Sequence, residues 1–302
     1  MKAAPFEYRR AGSVEEACAL LAEDPEARLL AGGQTLIPML AMRLARPTRL
    51  IDILRVPGLD AIARADGQIR LGATARQAAV ERSALVAEEL PLLARALPWV
   101  GHAPTRRRGT IGGSIANADP SAEIGLVAVT LDAEVLVAGG PAEAIPAGAF
   151  FLSAMVTALP AGAMVTGLRF PRRTERARTG FGFQEISARR SDYALAAAAA
   201  LLRLDAEGNC AEIALGIGGM GEVPVRVRLE GLLGRAPEPE VLRMAVEAAL
   251  APLPALEDAR TSGAYRRRAA AALACRALAE AAEGARRDAW ANAPTGEVKR
   301  WN

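Results

Sequence analysis

Ala31-Gly32-Gly33-Gln34-Thr35-Leu36 and Thr110-Ile111-Gly112-Gly113-Ser114 are the two stretches on which the reading of this chain turns. Each sets a Gly-Gly pair beside a small hydroxyl residue. Glycine has no Cβ, so its backbone reaches positive φ and admits a ligand to close range. Successive amides in such turns converge into an anion-binding nest. One turn of this kind is ordinary. Two of like chemistry point to two loops facing one diphosphate.

Outward from the first stretch, Leu29-Leu30-Ala31 reads as a buried strand feeding the turn. Pro38 to Leu44 follows as a short helix and Arg49 to Ile53 as a strand. Upstream, Ala3 to Tyr8 is a strand, and Ser13-Val14-Glu15-Glu16 is a capping box opening a helix with Ala17, Leu20 and Leu21 inward. Residues 1–55 therefore form a small α/β unit.

Around the second stretch, Gln68 to Gly72 is a strand, and Thr74-Ala75-Arg76-Gln77 is a second capping-box candidate. Helical pattern runs through Val80 and from Glu88 to Leu97. Asp119, with Pro120 after it, is placed to cap a helix carrying Glu123 and ending at Leu131. Strands follow at Glu134–Val137 and Met164–Phe170. The Arg-rich stretch 171–180 has no apolar period and reads as a domain boundary. Beyond it come strands at Gly182–Ser187, Ala196–Leu204 and Ala211–Ile217, with Asp205 to Asn209 as a turn. Helices at about Pro239–Ala251 and Ala264–Glu283 close the chain, and the final stretch has no apolar period.

The 302 residues are about half hydrophobic, which suffices for about two domains with a sizeable core. Lys plus Arg number 37 against 34 Asp plus Glu, and no basic face with interleaved aromatics stands out, so nucleic-acid binding is not expected. Cys18, Cys210 and Cys275 lie far apart and form no CxxC or iron–sulfur spacing. The single histidine, His102, excludes a His-based zinc site and a catalytic triad. No signal peptide is evident, and the apolar run Ala194–Leu202 is too short to span a bilayer. A cytoplasmic protein without a membrane span is expected.

Gly216-Ile217-Gly218-Gly219-Met220-Gly221 matches G-x-G-x-x-G, but Glu222 to Val227 reads as extended and Pro224 opposes the helix a dinucleotide fold needs. It reads as a structural loop. Arg106-Arg107-Arg108 is either a solvated cluster or a screen for diphosphate charge. No constellation supplies acid–base or nucleophilic chemistry, so any reaction here rests on an organic cofactor.

Taken together, these stretches resemble a family. Ala31 to Pro38 followed by Arg43-Leu44-Ala45 and Leu50-Ile51-Asp52-Ile53, then Arg106 to Ser114 with Ala116-Asn117-Ala118-Asp119-Pro120, are similar to the medium, FAD-binding subunit of molybdenum hydroxylases, the carbon monoxide dehydrogenase and xanthine dehydrogenase-like enzymes. Arg189 to Ala194 resembles the family's R-x-x-D-[YF]-A segment, and Gly216–Pro224 and Ala264–Arg267 resemble later landmarks.

The resemblance implies an α+β fold. A PCMH-type FAD-binding domain, as in vanillyl-alcohol oxidase, would span 1–173 in two α/β subdomains, 1–55 and 56–173. A C-terminal domain of the carbon monoxide dehydrogenase flavoprotein type would span 178–283, with a three-stranded antiparallel sheet and a helical bundle, leaving 284–302 as a tail. FAD contacts carry over to Leu29, Leu30, Ala31, Gly32, Gly33, Gln34, Thr35, Leu36, Thr110, Ile111, Gly112, Gly113 and Ser114. Glu123 falls near the ribose, Val165 at a backbone contact to adenine, and Tyr193 near the isoalloxazine.

Two positions depart from the pattern. Relatives usually have Ser or His at Thr35, and threonine keeps the hydroxyl. Many relatives have lysine where Glu185 stands. A carboxylate there disfavours the anionic reduced flavin, which argues against a flavin contact and for an altered potential.

The implied role is electron transfer within a heterotrimeric molybdenum hydroxylase, assembled as a dimer of trimers. A large subunit would hold molybdopterin and a small one two two-iron two-sulfur clusters. Electrons would pass through FAD on this chain to an external acceptor. The alternatives are a stand-alone flavin oxidoreductase of the same superfamily and a flavin-free scaffold subunit.

Overall fold

A computed structural model describes residues 2–288 and Trp290. The first unit runs β1 (Glu7–Arg10), α1 (Val14–Glu23), β2 (Arg28–Leu30), α2 (Leu36–Ala41) and β3 (Arg49–Asp52). Its three strands are parallel in the order β1-β3-β2, with Tyr8 opposite Leu50 and Leu29 opposite Ile51. The Ser13 hydroxyl accepts the Glu16 amide at 3.1 Å, and the Glu16 carboxylate takes the Gly12 amide at 2.7 Å. That reciprocal pair starts α1 as the capping box predicts. β1 begins at Glu7, later than the expected Ala3, because pairing requires Arg49 as its partner.

The second unit contains β4 (Ile62–Ala65), β5 (Gln68–Gly72), α3 (Gln77–Glu81), α4 (Ala84–Glu89), α5 (Pro91–Ala96), α6 (Ala103–Arg108), α7 (Ile111–Asn117) and α8 (Glu123–Thr130). It continues through β6 (Glu134–Ala138), β7 (Ala144–Pro146), α9 (Ala147–Phe150), β8 (Phe151–Ser153), β9 (Val156–Thr157) and β10 (Met164–Pro171). β4-β5-β10-β6-β7 form one antiparallel sheet.

Two expected caps do not form. Arg76, not Thr74, occupies the N-cap of α3, and the Thr74 hydroxyl is buried without a partner. Tertiary bonds fix this segment instead: the Thr74 amide donates to the Leu59 carbonyl and the Ala75 carbonyl accepts the Ile111 amide. Likewise Asp119 does not cap α8, which starts after Ala122. The Asp119 carboxylate accepts the Ser121 amide at 2.9 Å in a local turn. That turn is committed elsewhere, since the Pro120 carbonyl accepts the Gly219 amide and the Ser121 hydroxyl donates to the Ala194 carbonyl, both at 2.8 Å.

The third unit is β11 (Thr179–Ser187), β12 (Ala194–Leu204), β13 (Cys210–Gly218), β14 (Val225–Val227), α10 (Pro239–Leu250) and α11 (Gly263–Arg286). Its sheet is antiparallel in that strand order, so a short fourth strand adds to the expected three. The last helix passes Glu283 and reaches Arg286, and Trp290 is buried edge-on against Phe181, with ring centroids 5.0 Å apart. The predicted tail therefore begins too early. The rest of it, residues 289 and 291–302, lies outside the described residues.

This sheet is covered on both faces, which explains its alanines and glycines. Ala196, Ala198 and Ala200 face α10 and α11, while Ala197 and Ala199 join the core of the second unit. A Cβ at Gly180 or Gly182 would run into the α11 carbonyls of Ala281 and Ala277. A Cβ at Gly216 would strike the Thr130 hydroxyl. The G-x-G-x-x-G segment is thus the end of β13 fitted against α8, with no helix opening after it. Gly182→Ala is expected to cost about 1–3 kcal/mol of stability through overpacking, measured as a shift in denaturant midpoint without loss of slope. An unchanged midpoint would contradict this close approach.

α8 is buried at all eight positions between the second unit and the C-terminal sheet. A helix buried on every side belongs in an interior, and here it carries the core of the second unit onto one face of the C-terminal sheet, whose other face keeps a separate core with α10 and α11. No helix among the described residues is long and apolar enough to cross a membrane.

Candidate functional site

β2 is an edge strand and delivers Leu29 and Leu30, both half-buried, into the first glycine loop. Gly33 has φ +70°, and a Cβ there would lie 2.9 Å from Ile37 Cγ1. The loop then enters α2, with the Ile37 amide donating to Gly33 and the Met39 amide to Thr35. Among the described residues, the amides of Gly32, Gly33, Gln34 and Thr35 and the Thr35 hydroxyl donate to nothing. The loop thus keeps four backbone amides and one hydroxyl without an internal acceptor.

The second glycine pair is built differently. Thr110 caps α7, its hydroxyl accepting the Gly113 amide at 3.1 Å, so both glycines lie in a helical first turn. The Ile111, Gly112 and Ser114 amides donate to Ala75, Ala73 and Thr110 carbonyls. An open nest is therefore absent here, because the helix and the β5–α3 connection consume its donors. The two glycines also differ. A Cβ at buried Gly112 would sit 2.5 Å from the Ala73 Cβ, whereas exposed Gly113 would meet only the Thr110 hydroxyl. Gly112 lets α7 pack; Gly113 leaves its outer face clear. The Ile111 side chain is core.

The first stretch touches the residues that lead into the second. The Gly32 Cα faces the Arg108 carbonyl and Gly109, and a Cβ at residue 32 would lie 2.9 Å from the Gly109 Cα. Of the arginine triplet, Arg106 is committed to structure: it forks onto Glu81 at 2.8 and 3.1 Å and donates to the Val100 and Gly101 carbonyls. Arg107 and Arg108 are exposed. His102 is an exposed N-cap of α6.

Val165 lies inside the β5-β10-β6 sheet opposite Val137, just before a bulge. Its side chain is core, so only its backbone is in question. The next carbonyl, Thr166, accepts the Ala73 amide beneath α7. Tyr193 is exposed at the seam where the turn before α8 meets the start of β12. Burial, then Asp119, Asp192 and Glu123, push its phenol up.

Glu123 and Glu185 are both buried at that seam. Burial, reinforced by Asp119, pushes Glu123 up to about 7, against opposing pulls from its own backbone amide and Arg106. Burial and then the Glu123 carboxyl push Glu185 up to about 9. The ordinary value is 4.5, so the folded chain keeps the Glu185 proton where the unfolded chain has lost it. Stability therefore falls as pH rises from 4.5 to about 9 and is flat above. Glu185→Gln is expected to flatten that decline and to stabilise the chain at about pH 8 by a few kcal/mol, read from denaturant midpoints. Parallel curves for the two proteins would refute it.

Sequence reading missed the burial of Glu185 and the role of Arg266. Buried Arg266 donates to the Leu195 and Gly219 carbonyls at 2.8 Å and pairs with Asp258. It thereby ties α11 to the start of β12 and to the end of β13. The signal was a charged residue on the apolar face of α11.

Comparisons with known proteins identify the family. Residues 4–173 match the family model described as the FAD binding domain in molybdopterin dehydrogenase, and residues 181–281 match the CO dehydrogenase flavoprotein C-terminal domain. The nicotine 6-hydroxylase medium subunit of Paenarthrobacter nicotinovorans is 34% identical, over 93% of this chain and 99% of that one. The carbon monoxide dehydrogenase medium chain of Hydrogenophaga pseudoflava is 33% identical, over 90% and 96%. A chain of quinoline 2-oxidoreductase from Pseudomonas putida 86 superposes with TM-score 0.89 at 32% identity, covering 94% of this chain and 99% of that one. The fold, the glycine cradle and these similarities together place the chain in the family of FAD-binding medium subunits of the molybdenum hydroxylases.

Proposed function

We propose that this chain binds one FAD across the cradle between residues 31–36 and 109–114 and relays electrons from an iron–sulfur partner subunit to an external acceptor. When bound, FAD supplies reversible two-electron chemistry that no side chain here offers. The observation that carries the reading is the meeting of an amide-rich open loop with a helix whose outer glycine is clear.

In this reading the Gly32–Thr35 amides and the Thr35 hydroxyl bind diphosphate oxygens. The clear face of α7 at Gly113 and Ser114 forms the opposite wall. Leu29, Leu30, Ala31 and Leu36 line the approach, and Thr110 to Gly112 contribute backbone. Glu123 accepts sugar hydroxyls, the Val165 backbone serves the adenine end, and the Tyr193 ring flanks the isoalloxazine.

The complex is proposed as a dimer of heterotrimers with a molybdopterin large subunit and an iron–sulfur small subunit, in the cytoplasm. Purifying the tagged chain from its source tests this. The expected result is a stoichiometric complex with one large and one small subunit, showing iron–sulfur and flavin absorption together. A flavin-loaded chain that isolates alone would contradict the relay.

A further inference from the structure

Arg76 stands between the two glycine stretches, and its backbone is fixed there. It faces Thr110 in an isolated antiparallel bridge. On either side, the Gln77 amide donates to the Gly109 carbonyl and the Ile111 amide to the Ala75 carbonyl, both at 3.0 Å. Partners across such a bridge present their side chains to one face, so Arg76 shares a face with the Thr110 hydroxyl that caps α7. From that face its guanidinium donates to the Arg108 carbonyl, the same oxygen that a Cβ at Gly32 would strike. One carbonyl oxygen therefore has the Arg76 head group on one side and the first glycine loop on another.

The charges around Arg76 do not balance. It is half-buried, and among the described residues neither it nor the exposed Arg108 forms an ion pair. The charged groups that act on it are Arg108, which repels it, and Asp52 at the end of β3. The Asp52 carboxylate is already engaged, by the Tyr8 hydroxyl at 2.5 Å and the Leu54 amide at 2.9 Å, with Arg10 at 4.0 Å. Burial and then Arg108 push the Arg76 guanidinium down from its ordinary value, with Asp52 opposing. Arginine stays charged under such pressure. Two cations thus lie beside a loop whose four amides lack an acceptor. The neighbouring Arg106 is the contrast, since Glu81 closes its charge. What would satisfy Arg76, Arg108 and the loop together is a bound anion with several acceptor oxygens.

We propose that Arg76, assisted by Arg108, is the cation that holds a diphosphate group against the Gly32–Thr35 loop. The proposal rests on the FAD reading above and adds a side-chain anchor to it. A guanidinium fork suits phosphate oxygens in both charge and geometry. It acts on the phosphates alone, so it favours a dinucleotide over uncharged riboflavin.

The test measures FAD affinity of the full chain by fluorescence titration at about 0.02 M and about 0.5 M salt, where screening differs most. Wild type, R76Q, R108Q and R228Q are compared. Arg228 is exposed beyond β14 and controls for loss of one positive charge. R76Q is expected to bind FAD about tenfold more weakly at low salt, the worth of one charge-assisted hydrogen bond. R108Q, changed at an exposed side chain that folding does not need, is expected to lose about threefold. Both deficits are expected to shrink at high salt, and R228Q is expected to match wild type. Inorganic pyrophosphate is expected to bind the flavin-free wild type in calorimetry and to bind R76Q at least about tenfold more weakly.

Equal FAD affinity in wild type and R76Q would overturn the proposal. A deficit of the same size at both salt concentrations would also overturn it, because it would mean that Arg76 only props the Arg108 carbonyl. Either result leaves the FAD reading standing. A wild-type chain that takes no FAD, yet binds pyrophosphate through Arg76, would overturn the FAD reading and keep the anion site. A chain that binds neither would overturn both.

Discussion

Gly33→Val is expected to weaken FAD binding by at least about 100-fold, the equivalent of 2.7 kcal/mol. Gly33 sits at φ +70°, where a β-branched residue is strongly strained. The new side chain would also press on Ile37 in the first turn of α2. Relief of that strain turns the Gly32–Thr35 amides away from their common focus. Strain alone is controlled for by Gly67→Val. Gly67 has the same φ of +70°, sits in the β4–β5 turn and has nothing within 4 Å of a Cβ. That variant is expected to lose some stability and to bind FAD normally. Equal FAD affinity in the Gly33 and Gly67 variants would remove the first loop from the site.

Glu89→Ala is expected to destabilise the chain by about 3 kcal/mol, at the lower end for removal of one partner from a buried ion pair. The Glu89 carboxylate is wholly buried. It pairs with Arg64 from β4 and with Arg172 and Arg176 from the connection into β11, at 3.3 Å for Arg172 and 2.6 Å for Arg176. Burial pushes this carboxyl up, but Arg176, Arg64 and Arg172 outweigh it and hold it below the ordinary carboxylate value. The pairing therefore contributes above that value and is lost as pH falls through the lowered one. All three arginine side chains are still partly exposed, which places the expected cost at the low end. Arg176 also lies over the Trp290 ring, 5.2 Å from its centroid. The Arg-rich boundary is thus a clamped strap and not a free linker. A denaturant midpoint unchanged by the substitution would disprove the clamp.

Local order was legible where local chemistry sets it. The Ser13–Glu16 capping box, the Gln68–Gly72 strand and the Asp205–Asn209 turn each depend on neighbours in sequence, and each forms. Thr74 and Asp119 carry equally good capping signals and fail. Their backbones are held by residues distant in sequence, Leu59 and Ile111 in one case and Ala194 and Gly219 in the other. The two glycine stretches were legible as places, but not as conformations. Gly33 is a true positive-φ turn, while Gly112 and Gly113 sit in a helix whose start depends on the Thr110 hydroxyl and on Ala73. The state of Glu185 was beyond reach from sequence, because α8, which supplies its neighbour Glu123, comes from the preceding domain.

Titration of the purified full chain with FAD, read as bound flavin per chain after desalting, tests the central claim most directly when Gly113→Val is measured beside the wild type. Gly113 is exposed and lies in helical backbone, and a Cβ there would come 2.7 Å from the Thr110 hydroxyl alone, so the variant is expected to fold with a shifted cap on α7. The account predicts about one flavin for each wild-type chain and almost none for the variant, with unchanged circular dichroism. Stoichiometric flavin in both would mean that α7 is not a wall of the site, and the two-segment cradle would be wrong.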